Sequence, residues 1–76
     1  MEISHRGDHL FFHEGRFFSP HRDGFIVVGG PLGVVVPGLP AGAARIEVGG
    51  QSYFVTDDNY YRRTTGGFVV VEPPHR

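Results

Sequence analysis

The sequence predicts an all-β domain built from short antiparallel strands. Three observations carry this. Runs rich in Phe, Tyr, Val, Ile and Thr recur through the chain, and these side chains suit a pleated, half-buried surface. Turn-forming pairs such as Glu14-Gly15, Gly49-Gly50 and Asp57-Asp58 separate the runs. No window sustains the 3.6-residue period of an amphipathic helix.

The chain also resembles itself. Shifted by 43 positions, Ile3 falls on Ile46, Gly7 on Gly50, Phe11 on Phe54 and Gly24-Phe25 on Gly67-Phe68. Val27-Val28 falls on Val70-Val71 and Pro31 on Pro74. Near matches keep the register: Leu10 on Tyr53, Phe17-Phe18 on Tyr60-Tyr61, Ile26 on Val69. No gap is needed. Residues 1–33 and 44–76 therefore read as two half-repeats, with residues 34–43 as the connector. Two copies are too few for a solenoid. The expectation is one domain over 1–76 with pseudo-two-fold symmetry.

Residues 2–5 form a candidate edge strand. Arg6-Gly7-Asp8 turns the chain into residues 9–13, where Leu10 and Phe12 share one face and His9, Phe11 and His13 the other. Glu14-Gly15 reads as a two-residue hairpin turn because Gly accepts positive φ. Residues 16–19 return, and Pro20 is expected to end that strand because it cannot donate to a ladder. After Arg22-Asp23-Gly24, residues 25–28 form a continuous apolar run.

In the connector, Val34-Val35-Val36 is strand-like. Pro37, Gly38, Pro40 and Gly42 then forbid a regular strand or long helix, leaving an ordered loop anchored by Leu39 with at most one helical turn near residues 40–43. The second half follows with strands over 45–48, 52–56, 60–63 and 68–71. Asp57-Asp58-Asn59 suits a turn because these side chains bond locally to the backbone and tolerate the left-handed region. The expected inward set is Ile46, Val48, Tyr53 or Phe54, Tyr60 or Tyr61, Phe68 and Val70, with their partners in the first half. About eight strands result, closing into a small antiparallel barrel or a packed sandwich, with an SH3-like barrel favoured.

Composition narrows the function. The chain has 76 residues, one small domain near the stability limit. It has no Cys, so no disulfide and no Cys-based zinc site. Seven Phe and three Tyr must supply the apolar area through packing. A formal net charge of −1 argues against a nucleic-acid binder, which would carry a basic excess. The apolar runs are too short for a membrane span. Met1 to His9 has no apolar core of the kind a signal peptide needs. Full protonation of the five His would take the charge from −1 to +4, so the surface field can change sign with pH.

No motif for catalysis is present. Val28-Gly29-Gly30-Pro31-Leu32-Gly33 is glycine-rich but lacks the Lys-Ser/Thr pair of a phosphate loop. No Gly-x-Ser-x-Gly elbow occurs. The expectation is a protein that is not an enzyme and carries no cofactor. His9 and His13 share a strand face about 13 Å apart, too far for one metal ion. The histidines read as solvated surface groups, with metal or pH sensing as an alternative function. Asp57 and Asp58 lack the spacing of a calcium loop.

The aromatic pairs are the candidate binding residues: Phe17 and Phe18, and Tyr60 and Tyr61 followed by Arg62 and Arg63. On a strand, one member of each pair faces inward. The exposed member, beside arginines, can stack on a base, a sugar ring or a proline. The expectation is a surface for a protein or polysaccharide partner, with self-association into a homodimer along an edge strand as the structural alternative.

The run Gly-Phe-Ile-Val-Val, Pro-Leu-Gly, Val-Val-Val-Pro-Gly-Leu-Pro-Ala-Gly, Gly-Gly-Gln-Ser-Tyr-Phe, Asn-Tyr-Tyr-Arg, Gly-Gly-Phe-Val-Val-Val-Glu-Pro-Pro, between residues 24 and 74, resembles a family of uncharacterised exported bacterial proteins. Their pattern is GYVVVxPPxG…LP…GxxYYY…GxYYR…GYVVVxPP. The resemblance covers about two-thirds of the chain. It departs at Gly29-Gly30, where the pattern has the x-Pro that Glu72-Pro73 keeps. It implies export to the periplasm or cell envelope, given a signal peptide ahead of Met1, and no established activity.

Overall fold

The computed structural model describes residues 1–74. Their elements are β1 (Glu2–His5), β2 (Asp8–His13), β3 (Arg16–His21), β4 (Gly24–Val28), β5 (Val35–Val36), β6 (Ala44–Val48), β7 (Gln51–Thr56), β8 (Asn59–Thr64) and β9 (Gly67–Val71). Among the described residues there is no helix, so the fold is all-β. The strands form two antiparallel sheets, ordered β1-β2-β3-β4 and β5-β9-β8-β7-β6.

The expected SH3-like barrel does not form. The sheets stay open, with β1 and β4 as edges of the first and β5 and β6 as edges of the second. Gly29, Gly30 and Pro31 interrupt the chain after β4, before that strand could bend across into the second sheet. The body is elongated, 43 × 22 × 22 Å.

Tight turns set the registers. Glu14 and Gly15 have φ of 50° and 84°, and Asp57 and Asp58 have 49° and 65°. Two consecutive positive φ values give the two-residue turn whose twist matches antiparallel strands. The resulting pairs are Phe11 with Phe18 and Phe12 with Phe17 in the first sheet, and Phe54 with Tyr61 and Val55 with Tyr60 in the second. β2 begins at Asp8 and β7 at Gln51, β3 at Arg16 and β8 at Asn59, β4 at Gly24 and β9 at Gly67, a constant offset of 43.

Pro20 does not end its strand. β3 runs on to His21, with Pro20 opposite Phe25 of β4. Pairing to β2 has stopped at Phe18, so the missing N–H falls where β3 has one partner strand instead of two. Residues 40–43 make a single turn, Ala43 N–H to Pro40 O at 3.0 Å, and no helix. Leu39 packs on the core as an anchor.

The core lies between the sheets. Phe12, Phe17, Val34, Val36, Tyr61 and Val70 are its buried members, with Ile3, Val28, Leu39, Phe54 and Phe68 packed around them. Full burial of one such side chain stabilises by about 1.5–3 kcal/mol. Residues opposite each other in a sheet share a face. The first sheet therefore turns the row Phe12, Phe17, Val28 inward, and the second turns Phe54, Tyr61, Val70 inward. These rows are not related by the offset of 43. The counterparts of Phe54, Tyr61 and Val70 are Phe11, Phe18 and Val27, on the outer face of the first sheet. Pseudo-two-fold packing, which needs the same face from both halves, is thus not the arrangement. The connector joins the second half of this core: Val34 and Val36 lie beside β9 in the second sheet, and Leu39 packs on the same cluster. Ile46 and Val48, expected inward, fall outside the core cluster, and Ile46 lies opposite Tyr53 on the outer face of the second sheet.

Candidate functional site

The six candidate aromatic and arginine positions separate by face. Phe17 and Tyr61 have 0% exposure and belong to the core. No ligand reaches them in this conformation. Phe18 and Tyr60 are half-buried on the outer faces of their sheets. Arg62 and Arg63 are exposed on β8.

The two arginines are held by rings. Arg62 lies over Tyr53, its guanidinium carbon 5.7 Å from the ring centroid. Arg63 lies over Phe68 at 5.4 Å. A cation over an aromatic face gains about 0.5–1 kcal/mol at an exposed site, so these side chains are partly pre-positioned. Each contact follows from register: Arg63 pairs with Phe68 across β8 and β9. Arg62 and Tyr53 are on the same outer face because their neighbours Tyr61 and Phe54 pair.

A third arginine joins them. Arg45 on β6 donates to Ser52 Oγ at 3.1 Å and to Glu47 Oε2 at 3.5 Å. Arg45, Arg62, Arg63, Ser52 and Phe54 line an open groove of about 730 Å³ at the Gly49-Gly50 end of the second sheet. Three guanidinium groups and one neighbouring carboxylate leave this end electropositive, although the whole chain is slightly acidic. Arg45 carried no signal in the sequence. Its place depends on the β6–β7 hairpin, which sets it opposite Phe54.

Tyr61 shows what the interior does to a titratable group. Burial pushes its phenol up to about 12, the Asn59 amide pulls it down, and the Asp57 charge adds to the rise. Its hydroxyl makes no hydrogen bond of full geometry. Asn59 itself, expected in a turn, opens β8 and is buried. Its Oδ1 accepts the Gly30 N–H at 2.9 Å.

Among the described residues the histidines do not converge. His9 contacts Glu2 at 2.5 Å and His13 lies 3.9 Å from Glu14, both pairs exposed. Among the described residues no group of three or more His, Cys, Asp or Glu is placed to hold a metal ion. Likewise no helix among them is long and apolar enough to cross a membrane.

The sequence matches one family model, described as a family of unknown function (DUF6515), over residues 1–75. The chain belongs to this family. The match agrees with the expectation of an uncharacterised family. No curated protein matches the chain, and no solved structure does. The function of this DUF6515 member is therefore read from its own residues.

Proposed function

We propose that this DUF6515 domain is a non-enzymatic binding module of the bacterial cell envelope that holds a carboxylate-bearing chain, an acidic polysaccharide or peptide, in the arginine groove. The observation that carries the reading is that Arg45 and Arg63, on the same face as Phe54, and Arg62, from the opposite face of β8, line one groove. Guanidinium forks match carboxylates in two-point hydrogen bonds, and the partly buried Phe54 ring offers apolar contact beside them. Tyr60 and Phe18 stay outside this groove, so the reading moves the site from the aromatic pairs to the arginines. The envelope placement rests on the resemblance of the sequence pattern to exported proteins. The constant offset of 43 supports reading the two sheets as copies of one duplicated unit.

Calorimetric titration with oligogalacturonate, and separately with an acidic peptide, tests the ligand. Binding to the wild type that falls at least about tenfold, roughly 1.4 kcal/mol, in Arg62→Ala/Arg63→Ala supports the reading. Equal binding by both proteins, or none by either, counts against it. Fractionation of cells making the full gene product tests the compartment. Recovery in the cytosolic fraction would reject the envelope.

A further inference from the structure

We propose that the chain stacks head to tail on a second copy of itself, the outer face of the first sheet in one copy lying on the outer face of the second sheet in the next. One such contact already exists inside the chain. Phe12, Phe17 and Val28 of the first sheet share a core with Phe54, Tyr61 and Val70 of the second. An offset of 43 carries Phe12, Phe17 and Val28 onto Val55, Tyr60 and Val71. It carries Phe54, Tyr61 and Val70 back onto Phe11, Phe18 and Val27. The two rows left outside the core are therefore the two sides of the same contact, one on the outer face of each sheet. A contact between unlike faces leaves one face of each added copy free, so it continues from copy to copy, into a filament or a ring.

The geometry of the bare face matches that of the covered one. Phe54 and Phe68, which pack on the core, meet edge to face with ring centroids 5.2 Å apart and planes at 75°. Their counterparts Phe11 and Phe25 meet at 5.2 Å and 85°. The first sheet thus carries the same aromatic arrangement without a cover. Phe25 is 60% and Val27 61% exposed, beside a shallow groove of about 530 Å³ lined by Phe11, Phe18 and Phe25. Soluble monomers rarely leave such a patch bare. A second copy is the occupant because the chain itself presents the complementary row around Tyr60. This goes beyond the ligand reading, and of its three arginines only Arg62 shares the outer face of the second sheet.

Sedimentation equilibrium from about 10 µM to about 1 mM tests the stack. The average mass of the wild type is expected to rise with concentration. Val27→Lys and Tyr60→Lys each disable one side, so each alone is expected to stay monomeric. Their equimolar mixture is expected to form dimers and nothing larger, since each dimer ends in two disabled faces. Far-ultraviolet circular dichroism checks that each variant is folded, and Val71→Lys replaces Tyr60→Lys if that variant is not. A wild type that stays monomeric throughout overturns the proposal. So does association by Tyr60→Lys alone, which would assign the contact to the first sheet meeting itself. So does a mixture that stays monomeric while the wild type associates.

Discussion

The Gly30 N–H donates to Asn59 Oδ1 at 2.9 Å, and this bond ties the segment leaving the first sheet to the first residue of β8 in the second. The donor belongs to a loop and has no ladder to join. Without Asn59 it is left unpaired in a partly buried place, which costs about 1–3 kcal/mol. Asn59→Ala is therefore expected to lower the unfolding free energy by that amount, read as a lower urea midpoint at unchanged m-value. A variant as stable as the wild type would show that the bond carries no net weight.

Gly30 also marks the closest approach of this loop to the core. A Cβ there would lie 2.7 Å from Phe17 Cε1 and 3.3 Å from Asn59 Oδ1. Phe17 is fully buried and its ring has nowhere to retreat. Gly30→Ala is expected to destabilise by about 1–3 kcal/mol through overpacking. Gly29→Ala meets nothing within 4 Å and is expected to stay within about 0.5 kcal/mol of the wild type. Thermal melts of the two variants decide it, and equal effects would refute the steric account.

These residues show where sequence reading succeeds and where it stops. Strands and hairpins were legible because alternation and turn pairs are local properties. The choice between Tyr60 and Tyr61 was not, since adjacent tyrosines offer equal apolar area to either face. It is decided at a distance, by the side on which the core of Phe12, Phe17, Val34 and Val36 assembles, which takes in Tyr61. Asn59 read as a turn residue because Asp57 and Asp58 precede it, and nothing local announced Gly30 as its donor. Barrel closure failed for a similar reason: short strands and glycine turns are shared by barrels and open sheets. At the site, Arg62 and Arg63 were visible as a pair, while Arg45 arrived only through the β6–β7 register.

Gly67 begins β9 where β5 crosses close to it. Its φ of 137° lies in a region that side chains rarely adopt, and a Cβ would run into the Val36 carbonyl oxygen. Val36 is fully buried and pairs with Phe68, so the carbonyl cannot easily move. Gly67→Ala is expected to cost about 2–4 kcal/mol and to expose β5 to hydrogen exchange. Gly66→Ala meets only Val35 Cγ1 at 3.6 Å, an ordinary contact, and is expected to be nearly neutral. Unchanged exchange protection at Val35 and Val36 in Gly67→Ala would count against a close-packed β5.

Tyr61 gives the fold an alkaline limit. Its phenol is raised from 10.0 to about 12 in the folded chain, mainly because burial disfavours the phenolate. A group whose folded pKa lies above its unfolded value stabilises fully below the unfolded value. Its contribution is lost as pH rises from 10 towards 12, because the unfolded chain gives up the proton first. The loss approaches about 1.4 kcal/mol per pH unit. Tyr61→Phe removes the titrating group and, with it, a hydroxyl that makes no full hydrogen bond. At neutral pH that variant is expected to match the wild type within about 1 kcal/mol. Between pH 9 and pH 11.5 the wild type is expected to lose about 2 kcal/mol more than the variant. Urea unfolding of both proteins at the two pH values measures the difference. Parallel losses would mean that Tyr61 ionises in the folded state as easily as in the unfolded one, and that the phenol is not sealed from water.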